Sequence, residues 1–341
     1  MAEHRLRKRP TQADIARMAG VSQAMVSYVL NNSEEISILQ QTRQRILDSA
    51  ARLGYVLNNN ARTLRTSKSL TIVSIIPDIT NPFYPDFERG VQEVAEDNGY
   101  GLMIYNTDGD AEKERRALRA ALQSGADGIV GVFFHINAHG LRIVLDWGVQ
   151  VVRLEPVVRA TGSYPLDSLF VDNVAAARTA VTYLIERGYQ RIGLLTADEG
   201  PGSPRFTGYR AALESHGLLY DPSLVEQGTF LENGGYSAMR RLLQKQPRLD
   251  AVFAANDMMA IGALMAVKEA GLAVPQDVAI MGFDDIPVAS LVEPPLSTVT
   301  QFQRRLGQRA ATMLLERLAS DDPLPGRCEE MPFNLIIRQS T

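Results

Sequence analysis

From Leu70 onwards, short runs of apolar and β-branched residues alternate with longer segments whose apolar positions fall at helical spacing. Nothing else in the chain constrains the fold as tightly. The runs LTIVSIIP (70–77), GLMIYNT (101–107), GIVGVFF (128–134) and VQVVRLE (149–155) are separated by helical patterns at 84–98, 111–124 and about 138–147. Strands that are continuously apolar suit a parallel sheet covered on both faces. The pattern then begins again. SLFVDN (168–173), RIGLLTA (191–197), SLVEQGTF (223–230), AVFAAN (251–256) and DVAIMGFDD (277–285) alternate with helical patterns at 174–187, about 205–216, 233–245 and 257–270. Two doubly wound α/β lobes of similar size are expected, and two such lobes meeting at a cleft bind a small ligand beyond the carboxyl ends of their strands. A last helix (about 304–319) and a closing strand, FNLIIRQ (333–339), fit either lobe.

The first seventy residues read differently. Thr11 followed by Asp14 has the shape of a capping box, with Asp in place of the usual Glu or Gln, and Ile15, Ala16 and Ala19 give a short apolar helical face. Gly20 can take the positive φ of a tight turn, and Ser22 is a natural N-cap for a second helix with Val26, Val29 and Leu30 inside. A third helix over about 40–53, with Ile46, Leu47, Ala50 and Leu53 on its inner face and Gly54 at its end, closes an all-α headpiece. Two short helices joined by a Gly-containing turn make either an ordinary helical hairpin or a helix-turn-helix, the unit that lays its second helix in the DNA major groove.

Charge decides between these. Residues 1–68 hold eleven Lys and Arg against five Asp and Glu, whereas the other 273 residues hold 24 against 34. A basic head on an acidic body is what phosphate contacts by the head require. The single Cys328 rules out an intrachain disulfide and suits a reducing compartment. Residues 1–10 lack the apolar stretch of a secretory signal, and even AIGALMAV (260–267) is far too short to span a bilayer, so a soluble cytoplasmic protein without membrane partners is expected.

DIARMAGVSQAMVSYVLN (14–31), ARTLR (61–65), NPFY (81–84), VDN (171–173), ANDMMAIGA (255–263), GFDD (282–285) and the terminal RQST stand in order along nearly the whole chain. Together they resemble the LacI/GalR family of transcription regulators. The resemblance implies a helix-turn-helix headpiece at 1–57, a hinge at 58–69, and a periplasmic-binding-protein-like core of type I. It divides that core into an N-terminal lobe (70–167 plus about 298–330) and a C-terminal lobe (168–297 plus 331–341). It also implies a repressor that binds a palindromic double-stranded operator as a homodimer, under the control of a small-molecule effector, most naturally a carbohydrate. Gln23, Ala24 and Tyr28 would read bases; Arg17, Ser22, Ser27 and Asn31 would hold the DNA backbone. Met25 and Tyr28 stand where the family commonly has Thr and Arg, and either can instead simply pack the headpiece. In the hinge, Ala61, Arg62, Leu64 and Arg65 would engage the minor groove, with Leu64 as a wedge between base steps. Leu57 and Leu39 depart from the family's usual Pro and Ser there and before the third helix.

Phe83, Tyr84, Arg205, Phe230, Asn256 and Asp284 match the family's effector positions. Aromatic faces cover the apolar side of a sugar ring, and Asp, Asn and Arg hydrogen-bond vicinal hydroxyls. Phe230 and Tyr84 also fit as plain core, Asp284 as a helix cap, and a purine would use a similar set. His135 and His139 have the spacing of a helical metal pair but no ligating partners nearby, and no phosphate loop, zinc motif or nucleophile elbow is present. No enzyme, metal or cofactor is expected. The competing reading, a solute-binding protein of a transport system, fits the core alone and not the basic headpiece.

Overall fold

The computed structural model describes residues 10–30, 36–55, 68–155 and 164–341. It comprises two compact units, Met1–Ser69 and Leu70–Thr341.

The first unit contains α1 (Gln12–Ala19), α2 (Gln23–Leu30) and α3 (Gln40–Leu53). Both halves of the capping box form: the Thr11 N–H donates to the Asp14 carboxylate (2.9 Å), and the Asp14 N–H donates back to Thr11 Oγ1 (3.4 Å). Gly20 ends α1 at φ 63°, and Ser22 caps α2 by accepting the Met25 N–H at 3.2 Å. Ile15, Ala16, Ala19, Val26, Val29, Ile46 and Ala50 form the core, with Met25, Leu30 and Leu53 packed at its margin. Leu47, expected inside, is exposed. Helix α3 turns Ile46 and Ala50 inward, and Leu47, one residue on, falls on the outer face. Leu39 supplies no side-chain cap to α3.

Among the described residues, the second unit has two parallel sheets and one antiparallel pair of strands. The strands β1 (Thr71–Ile76), β2 (Gly101–Asn106), β3 (Gly128–Val132), β4 (Gln150–Glu155), β5 (Asp167–Val171) and β11 (Cys328–Met331) form one, ordered β11-β5-β4-β3-β1-β2 and parallel throughout. The strands β6 (Ile192–Thr196), β7 (Val225–Gln227), β8 (Ala251–Ala254) and β9 (Ala279–Met281) form the other, a parallel sheet ordered β7-β6-β8-β9. The antiparallel pair β10 (Thr298–Thr300) and β12 (Asn334–Ile336) extends the second lobe through bridges from Met281 to Ser297 and from Asp284 to Thr300. Helices α4 (Phe83–Asp97), α5 (Ala111–Gln123), α6 (Arg142–Leu145) and α11 (Gln303–Ala319) cover the first sheet. Helices α7 (Asn173–Glu186), α8 (Gly202–Ser215), α9 (Glu232–Lys245) and α10 (Asp257–Glu269) cover the second.

Several expectations are corrected. The strand at 168–173 does not open the second lobe; as β5 it lies between β4 and β11, buried along its length, and completes the first sheet. The chain therefore crosses between lobes just after Val171, again between β10 and α11, and a third time between β11 and β12. This puts 298–300 with the second lobe, not the first. The segment 138–147 holds a single helical turn, and the strands expected at 223–230, 277–285 and 333–339 are each three residues long. The Asp284 and Asp285 backbones, at φ 115° and 59°, are incompatible with continuing β9 as an extended strand.

Helix α11 reaches the first sheet by close approach. A Cβ on Gly307 would lie 2.0 Å from the Phe87 carbonyl oxygen, and one on Gly90 would lie 2.1 Å from that of Arg304. Its far end is fastened by the fully buried Asp167 carboxylate, which accepts from Arg317 (2.9 Å) and Arg327 (2.6 Å).

Candidate functional site

Every strand of both parallel sheets runs toward the same kind of edge, and the loops after β1, β2, β3, β5, β6, β7, β8 and β9, with the end of β4, surround a cavity of about 660 Å³. All six residues singled out for an effector line it: Phe83 and Tyr84 at the start of α4, Arg205 in the first turn of α8, Phe230 after β7, Asn256 capping α10, and Asp284 after β9. They are contributed by both lobes.

At the centre stands Arg205, 3 % exposed. Its Nε donates to Asn173 Oδ1 (2.8 Å), one terminal nitrogen donates to the Ala255 carbonyl, and the other reaches Asp284 Oδ1 at 3.4 Å. Its plane lies 3.6 Å over the Phe283 ring centroid, a contact suited to a delocalised cation. Burial lowers the Arg205 pKa even though Asp284 beside it raises it. The same burial pushes the Asp284 carboxyl up to about 6, with Arg205 and the Gln301 amide opposing the rise. Gln301 Nε2 donates to Asp284 Oδ1 at 2.7 Å from the strand-to-helix crossing. Asp284 thus ties a residue of the second lobe to the segment where the chain changes lobes.

The strained backbone at Asp284 is held from several sides. Its N–H donates to the Val299 carbonyl (2.8 Å), its own carbonyl accepts from Gln303, and the next residue, Asp285, pairs with Arg338 at 2.7 Å. A non-glycine residue persists in such a conformation only where its surroundings over-determine it, and such places concentrate at binding sites. Asp284 is no helix cap; Asn256 is, its Oδ1 accepting the Met259 N–H at 2.9 Å while its amide donates to the Phe230 carbonyl at 3.0 Å.

The aromatic side is built around Phe83 and Tyr84, whose rings meet edge to face at 5.1 Å. Burial, then the Asp284 charge, raises the Tyr84 phenol well above its ordinary value, so it stays protonated and can donate. Tyr84 packs on the large core as well as lining the cavity, and Phe230 is partly buried against the same core, so both roles anticipated for these rings are filled.

The cavity also draws on Asp78, Phe134, Phe170 and Gln301, which no local pattern marks, and on Asn81 and Asn173 of the NPFY and VDN motifs. Asn173 sits in the VDN motif and could have been suspected; Phe134 and Gln301 carry no sequence signal. The Phe134 loop is pinned by buried Glu114, which accepts the N–H groups of Phe134 (2.7 Å), His135 and Ile136 (3.0 Å). His135 bonds the Gly109 carbonyl and His139 the Tyr164 hydroxyl.

In the headpiece, Gln23, Ala24, Ser22 and Arg17 are exposed, with Arg17 beside Asp14 at 3.3 Å; Ser27 and Tyr28 are half-buried. Met25 packs on the headpiece core, whereas Tyr28 is outside that cluster. Asn31, Ala61, Arg62, Leu64 and Arg65 lie outside the described residues.

A helix-turn-helix unit and a two-lobed core with one polar and aromatic cavity define the class of ligand-responsive DNA-binding regulators. Residues 11–58 match the model for bacterial regulatory proteins of the lacI family, and residues 181–341 that for a periplasmic binding protein-like domain. The ribose operon repressor of Escherichia coli (strain K12) is 35% identical over 312 residues, 90% of this chain and 93% of its own length. The HTH-type transcriptional repressor CytR of the same strain is 34% identical over 337 residues, 97% of this chain and 96% of its own. Among solved structures, a complex of the transcriptional regulator CelR with cellobiose aligns at TM-score 0.73 and 30% identity, covering 98% of this chain and 100% of that one. The chain belongs to the LacI family of bacterial transcription regulators. Its relatives are repressors that act by binding DNA, not enzymes, and among the described residues no helix is long and apolar enough to cross a membrane.

Proposed function

We propose that this protein represses transcription in the bacterial cytoplasm by binding a palindromic operator as a homodimer, and that a carbohydrate in the interlobe cavity sets its affinity for DNA. The observation that carries the effector reading is the Arg205–Asp284 pair, buried, hydrogen-bonded and facing aromatic rings. Vicinal hydroxyls accept from the guanidinium and donate to the carboxylate, while Phe83 and Phe230 offer apolar faces to the ring. Two of the relatives point the same way by name, one as the repressor of a ribose operon and one bound to cellobiose.

For DNA, Gln23 and Ala24 stand exposed at the start of α2, where a recognition helix meets base edges, and Tyr28 follows one turn on. Gln23 suits bidentate pairing with adenine and Ala24 the thymine methyl. Ser22, Ser27 and Arg17 suit phosphates; Asn31 and the hinge residues Ala61, Arg62, Leu64 and Arg65 complete the proposed contact set. Two half-sites require two headpieces, hence the dimer. Lobe closure on ligand changes operator affinity only if the ligand favours one state of the dimer over the other.

The test is a fluorescence-anisotropy titration of operator DNA, with and without ligand, in wild type, Gln23→Ala and Asp284→Ala. Gln23→Ala should weaken operator binding by about 1–3 kcal/mol and relax preference at one base pair. Asp284→Ala should leave DNA binding intact and abolish its response to ligand. Unchanged DNA affinity in the presence of a ligand shown to bind would refute the allosteric reading.

A further inference from the structure

We infer that the ligand of the cleft carries no negative charge: the cavity takes an uncharged polyhydroxyl ring and rejects its phosphorylated or carboxylated form. This rests on the reading of the cavity as the effector site. Among the described residues Arg205 is the one Lys, Arg or His that lines the cavity, and its face and three of its five N–H groups are already engaged by Phe283, Asn173, Ala255 and Asp284. Against it stand six carboxylates: Asp78, Asp108, Glu155, Asp198, Glu199 and Asp284. Glu155 is paired with Arg153 at 2.6 Å, Asp108 with Lys113, and Asp284 with Arg205. Among the described residues Asp78, Asp198 and Glu199 have no cationic partner. Asp198 and Glu199 are exposed, and a Cβ built on Gly109 of the facing lobe would come within 3.4 Å of Glu199 Oε2, so the acids of both lobes converge at one edge of the cavity.

Three of the helix amino termini at the cavity offer an anion few free donors. Helix amino termini are the usual phosphate cradles, and α4, α8 and α10 all begin at this cavity. In α4, Pro82 and Pro85 have no N–H, and the N–H groups of Phe83 and Tyr84 are taken by Asn81 at 3.1 and 3.0 Å. In α8, Pro201 and Pro204 have none, and Gly202 donates to the Glu199 carbonyl at 3.1 Å. In α10 the Asn256 side chain takes the Met259 N–H, and Asp257 donates to the Phe283 carbonyl at 2.7 Å. A phosphate, carrying about −1.5 to −2 at pH 7, would meet unpaired carboxylates and few free donors. Neutral hydroxyls, by contrast, donate to those same carboxylates.

The experiment is calorimetric titration of the full-length protein with matched pairs: ribose and ribose 5-phosphate, glucose and glucose 6-phosphate, cellobiose and cellobiose 6-phosphate, adenosine and AMP. In whichever pair binds, the neutral member should bind at least about tenfold tighter, as like-charge juxtaposition demands. The ratio should narrow in an Asp198→Asn, Glu199→Gln double variant. A phosphorylated member binding as tightly as its parent overturns the inference and leaves the carbohydrate reading standing. A ratio unmoved by the double variant also overturns it, because rejection would then be steric. Silence from every sugar pair removes the carbohydrate reading itself, and this inference with it.

Discussion

Asp284 concentrates the chemistry of the core in one side chain. Its folded pKa of about 6 lies above the ordinary aspartate value of about 3.9, so the native state binds a proton more readily than the unfolded chain. Its contribution to stability is therefore present at low pH and lost as pH rises between those two values. Binding runs the other way. A carboxylate that accepts from a ligand hydroxyl must be ionised, so affinity for a neutral sugar should fall about tenfold from pH 7.5 to pH 5 and stay flat in Asp284→Asn. Calorimetry at the two pH values, with the heat of ligand binding read directly, checks the binding slope in both proteins. The residues of this site were legible unequally. Phe83, Tyr84, Arg205, Phe230, Asn256 and Asp284 stand within recognisable motifs or at expected separations from them. Gln301 and Phe134 reach the same cavity from a crossover and a pinned loop, and only the assembled fold brings them there.

Among the elements, those specified by neighbouring residues were the readable ones. The capping box, the Gly20 turn and the Ser22 cap need only a few positions of chain, so α1 and α2 could be placed from sequence. The destination of a strand is another matter. SLFVDN is equally apolar whichever sheet it joins, and its partners in the ladder are β4, nearby, and β11, some 160 residues away. Local pattern cannot select between them, and the lobe boundary falls one strand later than that pattern suggests. Helix pairing is set by backbone contact that only glycine permits. With α4 and α11 meeting at Gly90 and Gly307, an alanine at 307 would place its methyl 2.0 Å from the Phe87 carbonyl. Gly307→Ala should destabilise the core by about 1–3 kcal/mol or more, read as a shift of the urea midpoint. Its operator-facing headpiece should melt unchanged.

At the scale of the whole molecule, the division at residue 69 is one that the core clusters respect: no buried residue of the second unit's clusters precedes Leu70. A chain of residues 70–341 should therefore fold, melt cooperatively and bind the effector with the affinity of the full protein, while showing no operator binding at any ligand concentration. Loss of ligand binding in that fragment would mean that the headpiece contributes to the cavity. The two-lobed plan itself was legible because strand and helix alternate twice in the chain, and periodicity survives without knowledge of which strands pair.

The three crossings between lobes have a genetic consequence. Each lobe is stitched from distant parts of the coding sequence, so no single breakpoint between codons 70 and 341 yields one intact lobe from each parent. Recombination can hand this core a new headpiece in one exchange near residue 69, and with it a new set of target promoters. It cannot trade half of the ligand cleft that way. Effector specificity must drift by point substitution around a cavity inherited whole, while operator specificity is free to move as a module.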